Sequence, residues 1–144
     1  MITIIDYGAG NSTSVANALR RIDCPCEVTS DPERIVRADK IIFPGVGAAG
    51  QAMAQLATTG IGEALLEAIA RGVSTLGICL GMQILFDWSA EDGGVDCLGV
   101  IPGKVVKFAS ATTIERLKVP HIGWNRVKLK DKNFKLKIKT STIL

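Results

Sequence analysis

Three apolar runs, ITIID at residues 2–6, DKIIFPG at 39–45 and VSTLGIC at 73–79, constrain this chain more than any other feature. Each is near-continuous rather than alternating, as expected of a strand buried on both faces. The stretches between them repeat their apolar residues with a helical period. Strands that alternate with helices predict an α/β fold, a three-layer open and mostly parallel sheet with helices on both faces. In detail, Val15, Ala18, Leu19 and Ile22 form one face of a helix that Ser12 or Thr13 starts. CEVTS reads as a second strand, and DPER as a short helix with Asp31 as cap and Pro32 at its first position. Pro44 should stop the third strand. Helices are expected over Ala48–Leu56 and Ile61–Ala70, the second with Ile61, Leu65, Ala68 and Ile69 on one face and Glu67 paired to Arg71. The fourth strand, VSTLGIC, leads into a helix over GMQILFDWS. Beyond Ser89 the pattern turns to loop and strand, and Val127, Leu129, Phe134, Leu136 and Ile138 alternate with lysines as an amphipathic hairpin would.

The 144 residues suit about one domain. No apolar run approaches the ~18 residues a membrane span needs, and the opening MITIIDYG lacks the basic flank of a secretory leader. The four cysteines, at 24, 26, 79 and 97, have no framework spacing, so reduced thiols and a cytoplasmic setting are expected. The net charge of +3 comes from the last nineteen residues, which hold seven Lys and Arg and a single Asp. A basic end can touch nucleic acid. With no interleaved aromatics and no binding motif, neither a nucleic-acid partner nor a membrane is expected.

Ligands of open α/β sheets bind beyond the carboxyl ends of the strands. Three glycine-rich loops lie there: DYGAGN, PGVG and GICLGMQ. The last places Cys79 between Gly77 and Gly81, the cysteine form of the strand–turn–helix that presents a nucleophile. A helix start after Cys79 would favour the thiolate. A small buried core cysteine is the plainer alternative. In PGVG, glycine freedom would let backbone N–H groups meet a developing negative charge. Gly45 to Gly50 is also a literal G-x-G-x-x-G, the dinucleotide fingerprint. It follows the third strand rather than the first, and the acids about 20 residues on, Glu63 and Glu67, fall on a helix.

IDYGAGN, PGVG, GICLGMQ and PHIGWN occur in the order seen in class I, triad-type glutamine amidotransferases, which this chain resembles over about residues 1–125. More narrowly, it is similar to the glutaminase subunits of imidazole glycerol phosphate synthase. The resemblance implies that Cys79 attacks the side-chain amide of glutamine. Leu80 and the Gly45-Val46-Gly47 loop would hold the oxyanion, and Gly81 and Gln83 would help seat the substrate. Released ammonia would pass to a (β/α)8-barrel cyclase subunit in a heterodimer, which makes imidazole glycerol phosphate and AICAR in histidine biosynthesis. Asn11, His121 and Trp124 would face that partner, although Trp124 by itself reads as a partly buried aromatic. No cofactor and no metal is implied.

The chain departs from the family pattern in one respect. The family's base histidine stands in a His-Pro-Glu segment well after PHIGWN, and no such segment occurs here. The one histidine, His121, matches a loop histidine that is not the base. The expectation is an incomplete, C-terminally truncated amidotransferase domain over 1–126, a divergent lysine-rich tail over 127–144, and a chain inactive as given. The alternatives are a scaffold subunit that keeps only the partner interface and, less favoured, a dinucleotide-binding domain.

Overall fold

The computed structural model describes residues 1–107. Four parallel strands, β1 (Ile2–Ile5), β2 (Cys26–Thr29), β3 (Lys40–Gly45) and β4 (Ser74–Cys79), form a sheet in the order β2-β1-β3-β4. Helix α1 (Ser12–Arg21) lies on one face, with Ala16 and Leu19 packed on Ile4 and Ile42. Helices α2 (Pro32–Val36), α3 (Ala49–Thr59) and α4 (Ile61–Ala70) cover the other, where Ile5, Ile41 and Phe43 meet Ile35, Leu56, Ile61 and Leu65. The α/β sandwich expected from the apolar runs is the observed fold.

Local chemistry explains the boundaries. Asp31 caps α2 through Glu33 N–H at 2.9 Å, ahead of Pro32. Gly60, at φ 72°, both ends α3 and begins α4. The cap of α1 is Asn11, not Ser12 or Thr13: its Oδ1 accepts Ser14 N–H at 3.1 Å. The buried stripe of α1 is therefore Ser12, Ala16 and Leu19, while Ile22 lies beyond the last turn and is exposed. Arg71 does not pair with Glu67, since its Nη1 donates to the Val36 carbonyl at 2.8 Å and so ties α4 to α2.

Two expectations about strand ends need correction. Pro44 does not stop β3, which runs through it to Gly45, opposite Cys79. The ladder between β3 and β1 has already ended at Ile42, so Pro44 sits where β3 is paired on one side only. The helix read over GMQILFDWS is one turn long, α5 (Leu80–Gln83), and the remainder becomes β5 (Phe86–Ser89). Phe86 and Trp88 alternate, and they find strand partners in β6 (Val95–Asp96) and β7 (Ile101–Val105). Lys104 lies over the Trp88 ring at 5.3 Å, and Asp87 accepts Gly103 N–H at 2.8 Å, which fastens this second, three-stranded sheet. The hairpin read over 127–138 and the tail boundary at 126 lie outside the described residues.

Candidate active site

The chain bends at Cys79, which stands at φ 55°, ψ −120°, between the last residue pairing of β4 and the first turn of α5. A non-glycine residue at such a φ is strained and persists only where its surroundings hold it. Here the surroundings are backbone. A Cβ on Gly81 would collide with the Phe43 carbonyl oxygen, and one on Gly77 would lie 2.6 Å from Met82 Cα. One on Gly45 would lie 2.5 Å from Gly81 N. The three glycines let α5 press onto the ends of β3 and β4, and its Leu80 joins the core below. Gly81 thus admits the β3 backbone at close range. Cys79 is exposed, while Cys24, Cys26 and Cys97 are half-buried. Burial first, then the neighbouring acids Asp96 and Glu91, push the Cys97 thiol up. With one turn in α5, the helix-start argument for an activated thiol loses most of its force, because the dipole of a helix is a sum over its length.

The loops after β1 and β3 flank this turn. Asp6 shapes the first, accepting Gly8 N–H at 3.1 Å and the Ser12 hydroxyl at 3.3 Å. Val46 N–H donates to the Ala9 carbonyl at 2.7 Å, which joins the two loops and commits that N–H. Gly47 has φ 98°, and open space surrounds the position a Cβ would take. Of the oxyanion candidates in this loop, then, Gly45 is wedged under α5, Val46 is engaged, and Gly47 has room to turn. Gln83 is half-buried at the end of α5. Asn11 is exposed, its side-chain oxygen spent on the α1 cap. His121 and Trp124 lie outside the described residues.

Two participants escaped sequence reasoning. Glu91, in a 3-10 turn at Glu91–Gly93, reaches back 42 residues so that its Oε2 accepts Ala49 N–H at 2.9 Å. It satisfies one of the orphan donors of a helix start at which Ala48, the cap residue, makes no side-chain bond. Asp92 Oδ2 lies 3.1 Å from where a Cβ on Gly50 would sit. Two carboxylates therefore stand at the helix start that a dinucleotide pyrophosphate would need, which counts against that reading of residues 45–50. Tyr7 is the second. It is 2% exposed and stacked at a tilt on Phe43 with centroids 5.3 Å apart. Its hydroxyl is buried without a hydrogen-bond partner among the described residues. Desolvation, then the charge of Cys79, push its phenol up to about 12. Both residues act across long sequence separations, and no local spacing marks them.

Comparison with known proteins follows the same lines. The family model for glutamine amidotransferase class-I matches residues 3–143. Imidazole glycerol phosphate synthase subunit HisH of Nitratidesulfovibrio vulgaris (strain DP4) is 50% identical over 130 residues, covering 88% of this chain and 61% of the relative. The subunit of the same name from Dehalococcoides mccartyi is 44% identical over 128 residues, covering 89% and 60%. The chain thus spans about three-fifths of the length of the curated relatives it matches. A solved structure described as a crystal structure of glutamine amidotransferase superposes with a TM-score of 0.63 over 74% of this chain and 56% of its own, and at 19% identity it speaks for the fold alone. Fold, the strand–turn–helix at Cys79 and the family match agree, and the chain belongs to the class-I glutamine amidotransferase family.

Proposed function

We propose that this chain carries the nucleophile half of a glutaminase that hydrolyses glutamine to glutamate and ammonia and supplies the ammonia to the cyclase of imidazole glycerol phosphate synthase. The observation that carries the reading is Cys79, exposed at φ 55° on a turn that three glycines hold against β3 and β4. Similarity to relatives named as subunits of that synthase supports the substrate and the partner. Cys79 Sγ bonds to the amide carbon, and the oxyanion meets Leu80 N–H and, once the loop turns at Gly47, a donor from residues 45–47. The C–N bond then breaks, ammonia leaves with a proton from the base, and water releases glutamate from the thioester. Gln83 and Gly81 border the substrate in this reading, and Asn11, His121 and Trp124 face a (β/α)8-barrel partner in a heterodimer. Four unpaired thiols favour a reducing, cytoplasmic setting. No helix among the described residues is long and apolar enough to cross a membrane.

The base is the part this reading assigns outside the 144 residues, because their one histidine, His121, belongs to the PHIGWN loop. The 144-residue chain mixed with a cyclase should show no glutamine turnover, since loss of a triad member commonly costs about 10⁴-fold in kcat. Replacing residues 127–144 with a relative's segment that carries His-Pro-Glu should bring turnover, and Cys79→Ala should abolish it. Turnover by the unmodified chain that His121→Ala stops would overturn the assignment of the base. A silent graft in a folded protein would overturn the glutaminase reading itself.

A further inference from the structure

We propose that Tyr7 is a positioning residue for Cys79, its hydroxyl being the buried donor that serves the negative charge formed at the nucleophile turn when the thiol ionises. The inference rests on Cys79 being the nucleophile. The phenol enters from the end of β1, passes beside Phe43, and ends 2.7 Å from the point a Gly45 Cβ would occupy. Gly81 N lies 2.5 Å and the Leu80 carbonyl carbon 3.0 Å from that same point, so the hydroxyl and the first peptides of α5 crowd one spot. Gly45 is the register partner of Cys79. The hydroxyl therefore sits beneath the turn that holds the thiol.

Packing alone does not account for it. The ring belongs to an apolar cluster with Ile5, Phe43, Leu56 and Leu80, beside a cavity that Asp6, Ser30, Gln55 and Thr59 also line, and phenylalanine would fill the same place. A buried hydroxyl with no acceptor is a net cost to folding. The cost is offset if the hydroxyl serves a charge during function, and a thiolate at Cys79, whose charge reaches the phenol without a hydrogen bond between them, is one. Asp6, next to Tyr7 in the chain and on the same cavity, is already engaged with Gly8 and Ser12. Cys79 is the one ionisable group among the described residues that acts on the phenol. A neutral phenol that resists ionisation remains a donor throughout the working pH range.

Tyr7→Phe in the 144-residue chain tests this by brief iodoacetamide labelling at pH 7 to pH 10 with peptide mass spectrometry. Cys79 labelling at pH 7 should fall about three- to tenfold and converge with the parent by pH 10, while Cys24, Cys26 and Cys97 keep their rates. An unchanged Cys79 profile, or an equal loss at every pH, would overturn the role of Tyr7 while leaving the nucleophile assignment standing. A parent chain in which Cys79 labels no faster than the other three thiols overturns the nucleophile assignment, and this inference with it. Should Tyr7→Phe not fold, the single tyrosine of the chain permits the converse measurement. Its ionisation, followed by near-ultraviolet absorbance, should begin at lower pH in Cys79→Ser than in the parent, and coincident curves would overturn the proposal.

Discussion

The two faces of the parallel sheet are written in the same apolar residues and packed very differently. On one face Ile5, Ile41 and Phe43 lie under α2, α3 and α4, and Phe43 is 0% exposed. On the other, α1 covers Ile4 and Ile42, yet Leu76, which pairs with Ile42, is 57% exposed and Ile78 38%. The turn at Cys79 belongs to the first face. Leu80, which opens α5, and Ile84, which follows it, join its core, and Tyr7 stands beneath. Strain at Cys79 is tolerated because the denser side of the sheet holds both ends of the turn. The difference places the turn at Cys79 on the denser face and makes the other the place where substitution should matter least.

Truncating the dense face should break the comparison most. Phe43→Ala should lower unfolding free energy by about 3–5 kcal/mol in urea titrations, from lost burial and the cavity left behind. A loss below about 1 kcal/mol would mean that the two faces are energetically alike. Gly81→Ala probes the same face at the site. Overpacking typically costs about 1–3 kcal/mol, and here the added methyl meets the Phe43 carbonyl, which is backbone and has little room to yield. Cys79 should then lose its labelling advantage over the half-buried thiols, and its retention in a folded variant would show that the turn does not need this contact.

The phenol of Tyr7 offers a pH-resolved version. Its proton is held more tightly in the folded chain, so the stabilisation is complete below pH 10 and lost as pH rises through about 12. The amount is up to about 2–3 kcal/mol, read as the difference between parent and Tyr7→Phe in urea midpoints across that window. A difference independent of pH would show that the phenol ionises alike in both states. At the small end, Leu76→Ser should change stability by only about 0.5 kcal/mol either way. A loss as large as that of Phe43→Ala would mean that Leu76 is covered in solution.

Much of the fold was legible because its causes are local. The Asp31–Pro32 start of α2 needs neighbours only two residues away, and the order of strands and helices up to Cys79 follows from period and punctuation. The G-x-C-x-G spacing marked the turn, and its two glycines prove to be demanded by backbone contact. The misreadings arose where two local solutions competed. Asn11, Ser12 and Thr13 are all competent caps, and the geometry of entry from the first loop selected Asn11. ILFDWS carries both a helical and an alternating pattern, and only the partners at residues 95–105 decide for a strand.

By itself the sequence determined the fold class, the family and the position of the strand–turn–helix at Cys79, since each is encoded in short-range pattern or in motifs of a few residues. Tertiary structure alone decided the rest. It ran β3 through Pro44, brought the Glu91 carboxylate to Ala49, and left the Tyr7 hydroxyl beneath Cys79 without a partner among the described residues. Among the described residues it also roofed one sheet face more fully than the other. The reason is the range of the interactions. A turn or a cap is settled within a few residues, whereas burial and the pairing of polar groups are settled between segments that meet only once the chain has closed.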